Sequence, residues 1–413
     1  MATTWIRGTW MRATRARNAC CGCALGLLAT GVAGAQDSDS NGALSGGDWR
    51  GQMRYRLENV DIDGPLRTAT ASTLRTRLGF ETNTALPIGA LVEVEDVHAL
   101  GAEKFNSTTN GRNDYAVVAD PDSTELNQAY LTARGRGMRA NVGRQTLSFD
   151  GERFIGSVDF RQNQQTYDSV FAQGSLSNGS QLTYAYLWQV NRFLGDDHPL
   201  GNLDMRTHAV NFAFPRLNGD RFVAYTYLLE FDELTAASTK TFGASYDGGI
   251  DVGARKFLYR AEYAYQSDYA DNPHSASVWY ANAELGIRFV AQWVVTAGVE
   301  VLNGDGAAAF QTPLATLHKF NGFADIFAGA TPPGGLQDRY LRLYAPILGT
   351  RLTVTAHDFR DDDGDRDYGR EIDAELNWRI DSHWLIGLKY ADYRDDTFAA
   401  DTRKGWLWVQ ADF

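Results

Sequence analysis

Apolar and polar residues alternate one for one along this chain, in segments of ten residues or more that recur from Trp49 to Phe413. Alternation with period two places every apolar side chain of a segment on one face of an extended strand, which a 3.6-residue helix cannot do. In the first segment Trp49, Met53, Tyr55 and Leu57 share a face, while Arg50, Gln52, Arg54, Arg56 and Glu58 share the other. In the second, Leu74, Leu78 and Phe80 oppose Arg75, Arg77 and Glu81, and the third puts Glu93 and Glu95 on its polar face. Near the end, Ile372, Ala374, Leu376, Trp378 and Ile380 oppose Glu371, Asp373, Glu375, Asn377 and Arg379. Strands of soluble sheets run to about 5 or 6 residues. Ten or more suit a tilted strand that crosses a bilayer, which needs about 9 to 11.

Past residue 35 no apolar run reaches the ~20 residues of a spanning helix, so helical membrane crossing is excluded. The alternating segments number about eighteen, and their connections alternate in length as they do in outer-membrane barrels. Long connections cover residues 61 to 70, 99 to 124, 149 to 165, 192 to 203, 267 to 276 and 303 to 336, and short ones such as "RGRG", "PILG" and "DSH" lie between them. That parity predicts an all-β fold: a closed transmembrane antiparallel barrel of about 18 strands, with long extracellular loops, short periplasmic turns and both ends in the periplasm. The apolar faces then meet lipid. Arg54, Arg56, Arg75, Arg77, Glu93 and Glu95 are expected to face the lumen.

The first 35 residues have the order of a cleaved secretory signal: a basic region with Arg7, Arg12, Arg15 and Arg17, an apolar run from Ala19 to Val32, and Ala33-Gly34-Ala35. An uncleaved N-terminal anchor is the alternative. All three cysteines fall inside this segment, so residues 36–413 have no thiol for a disulfide or a metal. The formal charge of −12 becomes −16 when the four arginines leave, which argues against nucleic acid as a partner. The last strand ends on Phe413, which resembles the terminal aromatic that the barrel-assembly machinery of the Gram-negative outer membrane recognises. Outer-membrane lipids and lipopolysaccharide are the expected surroundings.

One stretch breaks the pattern. "GRQTLSFDGERFIGSVDFRQNQQTYD", residues 143 to 168, threads Phe149, Phe154, Ile155 and Phe160 among Arg144, Arg153, Arg161, Asp150, Glu152, Asp159 and Asp168. A solvated loop rarely needs such apolar bulk, and a packed core rarely accepts such charge. A loop folded back into a channel meets both demands. The aromatic residues would hold it to the wall, Arg144, Arg153 and Arg161 would face water at the narrowest point, and Asp150 and Asp168 would steady them. The competing reading is that these charges pair only with one another and stiffen the wall.

The runs "VGRQTLSFD…RQNQQTYD", "LHKFNGFADIFAGATPPGGLQD" and "DYGREIDAELNWRI" resemble segments of the alginate export family of outer-membrane porins, in the same order. The resemblance implies a monomeric eighteen-stranded barrel whose constriction of arginines and lysines, interleaved with acids, carries an anionic polyuronate outward. On it, Arg144 matches the arginine of the Gly-Arg-Gln run and Lys319 the basic residue after His318, with Arg153, Arg161, Asp150 and Asp168 in the matching segment. Asn321 interrupts the family's Phe-Gly pair. A passive channel for anionic sugars or polyuronates is therefore expected, with a general small-solute porin as the alternative. A whole polymer would also need a periplasmic secretion partner.

Two other chemistries have partial signals in the sequence. "DDDGDRD", residues 361 to 367, suggests calcium, but Phe359 stands where an EF-hand spacing needs an acid. A lipid hydrolase would need a Ser and a His together on the lipid face, and Ser169 and His208 are the only loose pair. No enzyme, metal or cofactor is expected.

Overall fold

The computed structural model describes residues 46–82, 87–216 and 219–413, so the expected cleaved segment lies outside the described residues. Eighteen strands follow one another: β1 (Gly47–Ile62), β2 (Ala69–Thr82), β3 (Ile88–Ala99), β4 (Ser123–Gly135), β5 (Met138–Gln145) and β6 (Thr166–Ser175). Next come β7 (Gln181–Asn191), β8 (Asn202–Ala213), β9 (Arg221–Leu229), β10 (Thr239–Val252), β11 (Arg255–Asp268) and β12 (Ser277–Arg288). The last six are β13 (Val294–Leu302), β14 (Leu336–Ile347), β15 (Thr350–Arg360), β16 (Asp367–Arg379), β17 (Trp384–Asp395) and β18 (Thr402–Asp412). Each pairs antiparallel with its sequence neighbours, and β18 closes on β1 from Gln52↔Asp412 to Ile62↔Thr402. Closure leaves no free edge, as a sheet in lipid requires.

The burial pattern is the inverse of a soluble protein's. Leu285 and Leu131 are 72% and 58% exposed, whereas Arg56 and Arg75 are 1% and 0% exposed. The apolar face of the alternation is the outer surface and the charged face is the interior. The short-turn rim carries both described ends, with Gly51 and Phe413 exchanging backbone hydrogen bonds of 3.1 and 2.8 Å. Its tightest turns are two residues long. Arg136-Gly137 and Leu348-Gly349 have positive φ at both positions, the twist-matched hairpin turn that favours a glycine.

Inside the wall, aromatic rings lie over glycines directly opposite them in register: Tyr225 over Gly243, Tyr340 over Gly298 and Trp408 over Gly387. A Cβ on any of these glycines would meet the ring below 2.5 Å, so the glycines make room for side chains that must lie flat in a crowded lumen.

Two long connections do not stay at the rim. The third loop (146–165) and the seventh (303–335) fold inward and pair through an Ile155↔Leu314 bridge, with Gly156 N donating to Leu314 O at 2.9 Å and Thr316 N to Glu152 O at 3.0 Å. Phe149, Phe154 and Ile155 are buried in a cluster with Tyr225, Tyr227, Tyr280 and Phe310. Val158 sits at φ 51°, a strained position for a β-branched residue. It is held there by Arg161 N on its carbonyl at 3.0 Å and by Thr316 Oγ1 on its N–H at 3.1 Å.

Candidate functional site in the barrel lumen

The tip of the third loop is gripped by arginines that β1 and β2 point inward. Arg54 donates to Gln162 Oε1 at 3.0 Å and to the Asp159 carbonyl at 2.9 Å, and Arg56 bonds the Phe160 carbonyl and the Asp120 carboxylate. The Asp159 carboxylate accepts from Arg75 at 3.3 Å and from Arg77 at 3.1 Å. Burial alone would raise the Asp159 carboxyl, but the arginines around it hold it well below the usual carboxylate range, so it stays an anion. Glu95 takes Arg77 and the Gln164 N–H, while Glu93 accepts from Asn127 at 2.7 Å. All six side chains of Arg54, Arg56, Arg75, Arg77, Glu93 and Glu95 lie on the inner side.

The residues expected to form the constriction divide into three groups. Arg144 and Asp168 are not in the lumen. Arg144 shares its side of β5 with Met138 and Val142, both exposed on the outer surface, and the residue turned inward is Gln145, bonded to Ser169 Oγ at 2.9 Å. Arg144 binds Asp168 across the strand pair, Nε to Oδ1 at 2.7 Å, near the long-loop rim. An unbroken β5–β6 register fixes this parity, and a one-residue slip would be needed to turn Arg144 inward. Arg144→Ala is accordingly expected to leave ion selectivity unchanged in bilayer recordings and to cost about 1 kcal/mol or less.

Arg153 and Arg161 are in the lumen but neither is a free charge. Arg153 forms a bidentate pair with Glu300 at 3.0 and 3.1 Å, donates to Asn321 Oδ1 at 3.1 Å and lies over the Phe320 ring. Arg161 is shared between Glu58 at 3.4 Å and Asp325 at 3.3 Å. Asp150 steadies none of the three; it accepts from Arg221 and from Asn211, each at 2.6 Å. Removing an arginine from water is costly without a counter-charge, and in a space this tight the nearest acids supply it. For these residues, mutual pairing describes the geometry.

Lys319 is the exception. It touches Glu152 at 2.8 Å yet its side chain is 53% exposed. Beside it His318 is stacked on Phe160 at 3.9 Å and bonded to Asp325 at 2.7 Å. Burial pushes the imidazole down to about 3, against the pull of Asp325, so this seventh-loop histidine is neutral at physiological pH.

Among the described residues, three cavities lie around these loops. An inner one of 570 Å³ lies toward β11–β17 and a second of 470 Å³ toward β1, β17 and β18; they share Phe160 and Lys319. A third of 380 Å³ lies among the long loops and shares only Arg153 and Asn321 with the first. The Arg153–Glu300–Asn321 cluster is thus a septum between outer and inner space. The first inner cavity is mixed, with the acids Glu262, Glu284, Glu300, Asp338, Asp373 and Glu375 set among Arg153, Arg260, Arg342, Lys389 and Lys319, whereas in the second Arg54, Arg56 and Lys319 face Glu152 and Asp159. Sequence reasoning missed Glu300, Asp325 and Gln162, because the partners lie more than a hundred residues away and no spacing reveals them.

The pair weighed for lipid hydrolysis is split by the wall. Ser169 is fully buried on the inner side, and His208 is on the outer side with Tyr184 Oη at 2.9 Å.

A closed, lipid-facing barrel whose charged lumen is narrowed by its own loops is a porin channel of the Gram-negative outer membrane. More narrowly, residues 50–343 match the sequence model of the alginate export family, and the chain belongs to that family. No curated protein matches the chain in sequence. Among solved structures it is similar to OccAB4 of Acinetobacter baumannii, with 13% identity and TM-score 0.70 over 90% of this chain and 98% of that one. OccK9 (OpdG) of Pseudomonas aeruginosa gives 13% and 0.71 over 90% and 100%. OpdK of the same organism, solved with vanillate, gives 12% and 0.70 over 90% and 100%. At such identities the likeness is one of fold.

Proposed function

We propose that this porin passively conducts anionic sugars, uronates above all, past the basic side of its inner lumen. The observation that carries the reading is the grouping of Arg54, Arg56 and Lys319 on the second inner cavity, next to the mixed polar wall of the first. A uronate has a carboxylate for Arg54, Arg56 and Lys319, and hydroxyl donors for the acids of β11–β16. Arg54 supports it further, since no carboxylate among the described residues lies within 4.0 Å of its guanidinium. Family membership agrees with an anionic polysaccharide as cargo. Cavities of 470 and 570 Å³ are in the range of small-molecule sites and suit a sugar acid or short oligomer. Export of a whole polymer would need the septum to open and a periplasmic partner to deliver the chain; uptake of oligomers needs neither.

Swelling of liposomes that contain the purified barrel tests this reading. Glucuronate should enter faster than glucose, a neutral solute of similar size. Equal rates would make the protein a general small-solute porin.

A further inference from the structure

Most arginines inside this barrel hold a carboxylate. Arg192, where the chain leaves β7, does not: no carboxylate among the described residues comes within 4.0 Å, and its half-buried side chain makes a long 3.5 Å contact with Leu200 O and lies 5.9 Å from the Phe193 ring. It lines the outer cavity of 380 Å³. A guanidinium has five N–H donors and is costly to shelter from water unless they are used. Burial lowers the basicity of Arg192, and no carboxylate offsets it.

The same cavity holds a second unused polar group. Thr239 Oγ1 is in its wall, buried and without a hydrogen-bond partner. Gln311 is bonded to Thr331 and Gln266 and Arg153 to Glu300, while the exposed His274 also lines the cavity. Most of the surface is apolar, from Leu203, Phe231, Leu234, Leu317, Phe327 and Leu336. One unpaired cation on an apolar surface is complementary to one anion on an apolar body. A sugar ring placed there would lose water from hydroxyls that find no partner.

We infer that the outer cavity is a binding site for small monocarboxylates with an apolar body, such as an aromatic acid, with the carboxylate held by Arg192. The site is distinct from the inner lumen and rests on the channel reading only in that solutes reach it from the long-loop side. Two chemistries in series would make the porin selective for an acid group first and for its substituents afterwards.

Calorimetric titration of the purified barrel in detergent tests this without requiring conduction. Sodium benzoate should bind. Benzamide, the same shape without charge, and sodium glucuronate, the same charge with a hydroxylated body, should each bind roughly tenfold more weakly or worse. Arg192→Gln should weaken benzoate by a similar factor and Arg192→Lys by less, with heat-modifiable gel migration confirming a folded barrel in both. Benzamide or glucuronate binding as tightly as benzoate, or indifference to Arg192→Gln, would overturn the inference. Benzoate binding that depends on Arg192 in a channel where glucuronate enters no faster than glucose would sustain it while defeating the uronate reading. The converse pair of results would do the opposite.

Discussion

Replacing Arg153 with Ala should both weaken the barrel and enlarge its conductance. The guanidinium joins three parts of the chain: its own third loop, Glu300 on β13 and Asn321 in the seventh loop. Truncation leaves Glu300 buried, with Asn321 Nδ2 at 2.7 Å and Tyr280 Oη at 2.8 Å as its remaining partners. Breaking a buried pair from one side costs about 3–5 kcal/mol, because an uncompensated charge stays behind. The midpoint of denaturant unfolding should fall accordingly. Because the same cluster separates the outer cavity from the inner one, its loss should also raise single-channel conductance and add gating noise. The paired change Arg153→Met with Glu300→Gln removes both charges and should recover most of the stability. If the single variant matches the unmodified protein in stability and conductance, the septum is not a barrier.

Lys319→Glu should produce the largest change in selectivity. Lys319 faces both inner cavities, is half exposed and has one acid, Glu152, beside it. Exchanging its sign moves two charge units at contact range. At ~1 kcal/mol per unit for a separation of about 4 Å in water-like surroundings, that is about 2 kcal/mol, or well over tenfold in local anion occupancy. The new glutamate also faces Glu152 directly, so the local field reverses and is not merely lost. Anion preference should fall sharply or invert, while stability, which an exposed pair barely supports, should change little. Retained anion preference would move the selectivity element elsewhere in the lumen.

The architecture was legible because a barrel wall is a local code. Alternation gives each strand its two faces, and connection length gives the rim, so Trp49 to Glu58 could be assigned from ten residues alone. The site was legible in part. Phe149, Phe154 and Ile155 revealed a loop that turns inward, since apolar residues among charges have few other destinations. What the charges do once inside was hidden. Arg144 fits the family motif, yet the strand period puts it on the outer side with Asp168. The fates of Arg153 and Arg161 depend on Glu300 and Asp325, at sequence separations of 147 and 164. Arg192, the one arginine that lines the outer cavity without an acid partner, stands out only by what is missing around it, and sequence does not display a missing partner.

Net charge and local charge point in opposite directions, and this sets the decisive measurement. A chain of net charge −12 repels anions at a distance, but screening limits that reach to about 8 Å at physiological salt. Arg54, Arg56 and Lys319 act at contact. The reversal potential of the unmodified porin in a planar bilayer under a potassium chloride gradient compares the two directly. The predicted sign is that of chloride preference, shifting toward zero as uronate occupies the inner lumen. A potential of the opposite sign, with potassium preferred and no response to uronate, would contradict the anion-channel account.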